Sequence, residues 1–159
     1  MRVRPIFSLI GRGDCLKRVD VASALIFDET SESVLMVRNK RGSTSDWSLP
    51  GGAVEPRETL EHAAIRETKE EAGVDIEVTG LYSVREAFFT GVGHHALLFT
   101  FTASIINGEL GSLDPDHEIV EVRWIDISTA NFIFSKLSVP MLIVPQSKLP
   151  SIYSFHGNV

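Results

Sequence analysis

Three glutamates, Glu67, Glu70 and Glu71, stand close together in GGAVEPRETLEHAAIRETKEEAGV, the stretch from Gly51 to Val74. The segment from Glu58 to Ala72 reads as a helix. It has no proline, consists of good helix formers, offers Thr59 as N-cap, and is followed by Gly73, which can take the left-handed conformation that ends a helix. At roughly 100° per residue, Leu60, Ala64, Ile65, Thr68 and Ala72 form an apolar-to-small stripe, with His62, Arg66 and Lys69 opposite. The three glutamates share one arc at the edge of that stripe. Carboxylates at such spacings repel by about 0.2–0.5 kcal/mol per pair, and Glu70 and Glu71 lie in the last turn, where the helix dipole disfavours negative charge. The arc therefore needs positive charge. Arg66 and Lys69 supply part of it, and a hard divalent ion that prefers oxygen ligands fits the cluster better. Mg²⁺ is the natural choice, with Mn²⁺ a substitute, held by a few carboxylates and completed by water and phosphate oxygens. The bland alternative is a solvated helix face rich in Glu and Lys.

The spacing of the whole stretch weighs against that alternative. Gly52, five residues, Glu58, seven residues, then Arg66-Glu67-Thr68-Lys69-Glu70-Glu71-Ala72-Gly73-Val74 resembles the signature of the Nudix (MutT-like) hydrolase family at all seven of its polar and glycine positions. At ordinary residue frequencies a chance match at one start point is below roughly one in a million. Thr68 departs from the pattern, which usually has a bulky apolar residue there, but its methyl can still pack.

At 159 residues the chain suits one domain with a real core, spanning 1–159, and not two. With 43% hydrophobic and 23% charged residues and no biased tract, it has the profile of a folded globular protein. The single Cys15 cannot form an internal disulfide, and no Cys/His cluster has zinc spacing, so a reducing compartment, the cytoplasm, is expected. The basic start MRVRPIFSLIG has too short an apolar run for a signal peptide, and no stretch approaches the roughly 20 apolar residues of a membrane span. A net charge of −6 argues against nonspecific nucleic-acid binding. Residues 1–41 nevertheless hold eight Lys or Arg against five Asp or Glu. A basic first part and an acidic remainder suit a small anionic substrate that arrives with a metal.

The elements around the acidic helix follow from pattern and punctuation. Gly11, Gly13 and Asp14 mark a turn. Asp20 to Phe27 and Ser33 to Arg38 read as a hairpin of two strands across a polar turn. Arg38, Lys40 and Arg41 then place three cations within four residues, either a solvated strand end or a phosphate-contacting rim. Trp47 reads as core, and the Gly91–His95 loop as a connection. Val74 to Thr79, Leu81 to Phe89 and Ala96 to Ile106 read as strands, with Asn107-Gly108 a hairpin signal. Ile119 to Ile125 alternates, which puts Val120, Val122 and Trp124 on one face, Glu121 and Arg123 on the other, and Glu118 at the mouth. From Ser128 onward, apolar runs broken by Pro140, Pro145 and Pro150 predict a short helix near 128–136 and then irregular chain.

The resemblance covers roughly residues 20–126, leaving 128–159 as a tail. It implies an α/β fold, an α/β/α sandwich with a mixed sheet between helices. It also implies a hydrolase acting on a nucleoside diphosphate linked to another group. In that reading Glu70 and Glu71 are metal ligands, the Gly51 carbonyl is a further one, and Glu67 is a ligand or the general base. Glu58 and Arg66 hold loop and helix in register, and Glu118 or Glu121 is the rival base. The favoured substrate is a nucleoside triphosphate or small nucleotide derivative. The marks of the family's ADP-ribose class (a proline between Arg57 and Leu113) and diadenosine class (a tyrosine near Gly91) are missing. ADP-ribose, nucleotide-sugar and dinucleoside polyphosphate substrates, a noncatalytic nucleotide sensor and a purely structural acidic face remain the rivals. The tail can close over a larger ligand or form a homodimer contact.

Overall fold

The computed structural model describes residues 15–145 and 152–159, without the side chains of 41 and 152–155. The turn expected at Gly11, Gly13 and Asp14 lies outside the described residues. In chain order the elements are β1 (Lys17–Ile26), β2 (Ser33–Arg41), β3 (Thr44–Ser48), β4 (Gly51–Ala53), α1 (Leu60–Ala72), β5 (Val74–Phe89), β6 (His94–Gly108), β7 (Ile119–Asp126), α2 (Ile127–Phe134) and β8 (Ile152–Asn158). The strands divide between a mixed five-stranded sheet, β4-β1-β6-β5-β8, and an antiparallel three-stranded sheet, β3-β2-β7. β1 runs parallel to β6 and β5 parallel to β8.

The two helices cover opposite faces of these strands, and the alternation of side chains shows why. In β2, Val34, Leu35, Met36 and Val37 are all fully buried, as expected for a strand enclosed on both sides. Val34 and Met36 share a cluster with Ala130 and Phe134 of α2, while Leu35 and Val37 share one with Ala72 of α1. Small residues set how closely α1 approaches. Ala22 of β1 packs on Ala63 and Ala64 with Phe101, and each of these three alanines is fully buried. Thr68 is fully buried too, and its hydroxyl donates to the Ala64 carbonyl at 2.7 Å. The helix therefore accepts a hydroxyl at this position without leaving it unpaired.

Several expectations change. β1 and β2 do not form a hairpin: they enter different sheets, and among the described residues the bridge Phe27–Val34 is what links them. Asp28 accepts the amides of Glu32 and Ser33, so the turn is organised by a side chain and the strands are free to diverge. The two strands expected on either side of Gly80 are one bulged strand, β5, whose register shifts between Val78 and Gly80 and between Leu81 and Ser83. Asn107-Gly108 does not turn into the next strand of its sheet, because β7 pairs with β2. Val120 leaves the expected face: a bulge at Arg38/Asn39 pairs Arg38 with Glu121 and Asn39 with Ile119. Ile119 is consequently buried with Val122 and Trp124 packed beside it, and Val120 is exposed. In the tail, α2 forms with Asp126 as N-cap. The chain after it is irregular yet buries Val139, Met141 and Ile143, and β8 is a strand that the prolines concealed.

The segment after β6 folds back onto the end of α1. The amides of Gly111 and Leu113 donate to the carbonyls of Ala72 and Glu70, which would otherwise lack partners at a helix end. Gly73, at φ +79°, makes this possible, since a Cβ there would collide with the carbonyl oxygens of Gly111 and Glu109. Gly73→Ala should therefore cost the left-handed penalty of roughly 1–2 kcal/mol plus displacement of the 109–113 segment. Gly42→Ala, at φ +62° with nothing near its Cβ, should cost the penalty alone. Urea denaturation of both variants checks this, and equal losses would show that the backbone approach at Gly73 is unimportant.

Candidate active site

The short strand β4 carries the loop glycines to the acidic face of α1. It pairs antiparallel with β1, Ala22 opposite Gly52 and Ser23 opposite Gly51, so its position is fixed by the same strand that α1 packs upon. Thr59 caps the helix by accepting the His62 amide. Arg66 then ties loop, strand and helix together. Its Nε and Nη2 donate to the two carboxylate oxygens of Glu58 at 2.9 and 3.0 Å, and Nη2 also donates to the Ala53 carbonyl at 3.2 Å. Its Nη1 donates to Glu67 at 2.8 Å and to Glu70 at 3.3 Å. Glu71 turns the other way and accepts the Gly51 amide at 2.9 Å.

These contacts set the charge states. The Arg66 hydrogen bonds hold the Glu58 carboxyl below its ordinary range, and Glu58 in turn raises the proton affinity of Arg66 above its ordinary value. Glu67 moves upward, because burial outweighs the pull of Arg66. A half-buried carboxylate with raised proton affinity beside two further acids is a common arrangement in sites that bind cations or move protons.

Among the described residues no three acidic, His or Cys side chains converge on a metal position as they stand; Arg66 lies between Glu67 and Glu70, and Glu71 faces Gly51. The donor set nonetheless suits a hard divalent ion, being three carboxylates with oxygen ligands only. Positive charge is already accommodated between Glu67 and Glu70 by the guanidinium. Gly52 keeps the approach open: a Cβ there would run into the Glu67 carboxylate. The contact shown by Gly51 is through its amide, whereas sequence reasoning singled out its carbonyl.

A cleft of about 770 Å³ opens beside this face. From the sheets come Val21, Ser23, Leu98, Arg85 and Phe89; from the helix side come Gly52, Glu67, Glu70 and Glu71. Trp47 and Leu49, Asp114 to Asp116 with Glu118, and Leu137 to Val139 with Met141 of the tail also line it. Glu118 is therefore on the rim. Its amide donates to Asp114 Oδ2 at 2.7 Å, and its carbonyl accepts the Lys40 amide. Glu121 is not in the lining. It pairs with Arg38 at 2.9 Å and Arg123 at 3.0 Å, and both cations lie over the Trp47 ring. Arg38 and Lys40 do not line the cleft either, because Asn39, between them on β2, takes the inward position. The side chain of Arg41 lies outside the described residues. Sequence reasoning missed Arg85, Asn39 and Asp114. For Arg85 the usable signal was a cation set among apolar residues in a strand, VREAFF.

A model of the NUDIX domain matches residues 17–140. The chain belongs to the Nudix family. It is 33% identical over 110 residues to "Putative nudix hydrolase 1" of Caenorhabditis elegans, a match covering 67% of this chain and 28% of that protein. It is 36% identical over 105 residues to "8-oxo-dGDP phosphatase NUDT18" of Mus musculus, covering 65% of this chain and 31% of that protein. The chain thus spans about a third of the length of these curated relatives. A solved NUDIX hydrolase from Nitrosomonas europaea superposes with a TM-score of 0.66 at 24% identity, covering 75% of this chain and 79% of that one, which shows the shared fold. Among the described residues no helix is long and apolar enough to cross a membrane.

If Glu58 is the anchor of Arg66, Glu58→Gln should destabilise the Nudix fold by about 1–3 kcal/mol, the range for a charge-assisted hydrogen bond. A carboxyl whose folded pKa is depressed contributes stability above its unfolded value, and loses it as pH falls through the lower folded value. The gap between wild type and Glu58→Gln should therefore be full above about pH 5 and close in acid below the ordinary carboxylate value. Denaturation midpoints from pH 3 to 7 check it.

Proposed function

We propose that this chain is a divalent-metal-dependent hydrolase of the phosphoanhydride bond in a nucleoside diphosphate linked to a further group, with a nucleoside triphosphate or small nucleotide derivative as substrate and Mg²⁺ as the ion. The observation that carries this reading is a single cleft with Glu67, Glu70 and Glu71 along one side and the apolar residues Val21, Trp47, Phe89, Leu98 and Met141 elsewhere in its lining. The first suits a charged phosphate chain with its counterion, the second a flat base. Relatives named as phosphatases of nucleotides support it.

Glu70, Glu71 and Glu67 would hold the ion, which when bound neutralises charge on the phosphate oxygens. Arg66 and Glu58 tie the 51–53 strand to the helix, so the backbone that carries the three carboxylates is already in position, and only their side chains have to turn from Arg66 and Gly51 toward the ion. A water oxygen bonds to phosphorus as the bridging P–O bond breaks. Its proton passes to a carboxylate, and the bridging oxygen leaves on the departing phosphate. Glu67, where it is not a ligand of the ion, or Glu118 would take that proton. Glu121 would not, because Arg38 and Arg123 occupy it outside the cleft.

A panel of nucleoside diphosphates, triphosphates, ADP-ribose, nucleotide sugars and dinucleoside polyphosphates, read by phosphate and pyrophosphate release, tests the activity and ranks its substrates. On the substrate so found, Glu70→Gln and Glu71→Gln should each lower kcat/KM by at least about a hundredfold, the several kcal/mol expected of a lost metal ligand. Glu121→Gln should stay within about threefold of wild type. Wild-type turnover in a folded Glu70→Gln and Glu71→Gln pair, or collapse in Glu121→Gln, would reject the assignment.

A further inference from the structure

Arg85 is the cation of the cleft for which the hydrolytic reading has no use. It stands on β5 opposite Leu98 of β6, which is opposite Val21 of β1, which is opposite Ala53 of β4. Residues directly opposite one another share a sheet face, so these four form one row. At about 4.8 Å per strand, the row places the Arg85 backbone roughly 14 Å from Ala53, whose carbonyl Arg66 holds. The acidic helix and Arg85 therefore mark two ends of one cleft.

The guanidinium is underused. Nη1 donates to the Val139 carbonyl at 3.0 Å, and Nε is buried with no partner. Burial lowers the proton affinity of Arg85, with no carboxylate to oppose it. Of the three orphaned buried polar side-chain atoms among the described residues, two belong to β5, Arg85 Nε and Ser83 Oγ two residues away. Such atoms are costly, and because Nε is closed off, the remaining N–H groups of Nη1 and Nη2 are the ones that can meet a ligand. Leu98, directly opposite, and Phe89, Leu137 and Met141 elsewhere in the cleft lining are apolar, which suits a flat ring better than a hydrated phosphate. Arginine has only donors, so that ring must present acceptors.

We propose that Arg85 reads the base of the substrate and selects a purine with a keto oxygen at position 6. This rests on the reading of the cleft as a nucleotide site. The guanidinium fork matches the adjacent O6 and N7 acceptors of guanine, while adenine places its N6 amino donor against the fork. Hypoxanthine keeps O6 and N7 and should be accepted as guanine is. The 2-amino group of guanine is not part of the contact.

Binding of GMP, IMP and AMP, followed by calorimetry without divalent ion, tests the base contact apart from hydrolysis. GMP and IMP should bind within about threefold of each other and at least tenfold more tightly than AMP, about 1.4 kcal/mol. Arg85→Gln should invert the order, since an amide can pair with N6 and N7 of adenine, and Arg85→Lys should weaken GMP with little effect on AMP. A residue that merely supports Val139 would change all three ligands alike. Equal affinities for GMP and AMP in wild type, or an unchanged ratio in folded Arg85→Gln and Arg85→Lys, would overturn the proposal. The wild-type comparison decides even where a variant fails to fold. Base preference without turnover of any nucleotide in the panel would count against the hydrolase reading and leave this one standing.

Discussion

The guanidinium of Arg66 is the interaction on which the rest of the site depends. One side chain meets Glu58 in the loop before the helix, the Ala53 carbonyl in β4, and Glu67 and Glu70 on its own helix. Without it, three acids at the end of a helix would repel one another and the loop would have no tie to the sheet. Planar, forked and always charged, arginine can satisfy several acceptors in fixed directions at once, which a lysine ammonium cannot. The same contacts explain the split in proton affinity. Glu58, bound by two hydrogen bonds, stays ionised, whereas Glu67, sharing one and half-buried, is pushed toward its protonated form.

Close packing makes that interaction reachable. Ala22, Ala63 and Ala64 bring α1 against β1, and β4 pairs with the same strand. Loop glycines and helical carboxylates are thus positioned from one common element. Larger residues at these alanines would push the helix outward and separate Glu67 from Gly52. On the other face, α2 and the buried tail from Val139 to Ile143 close the second side of the sheets and form part of the cleft wall. Asn131 holds that tail by exchanging hydrogen bonds with both backbone groups of Ile143.

What could be read from the amino-acid pattern was the part governed by local rules. The helix, its cap at Thr59 and its left-handed stop at Gly73 follow from periodicity and capping, whereas the turn of Arg66 toward Glu67 and Glu70 and of Glu71 toward Gly51 does not. The strand cores followed too, because β-rich apolar runs are hard to mistake. Pairing was not legible, since it is decided by distant partners: β1 and β2 enter different sheets, and the bulge at Arg38/Asn39 puts Ile119 in place of Val120 beside Val122 and Trp124. The alternation of β2, which turns Asn39 inward, and the pairing of Arg38 with Glu121 explain why Arg38, Lys40 and Glu121 look like site residues in one dimension yet do not line the cleft. Arg85 was hidden for the converse reason. A lone charge in a strand carries no motif, and its meaning comes from the β6 and tail residues that surround it.

A divalent ion at the acidic end of α1 beside β4 can be located by titrating ¹⁵N-labelled protein with Mn²⁺, whose unpaired electrons broaden nearby amide signals. Gly51, Gly52 and the last turn of α1, Glu67 to Ala72, should broaden first and together, and excess Mg²⁺ should reverse the effect. Broadening centred instead on Asp114 to Glu118, with the α1 signals untouched, would contradict that placement.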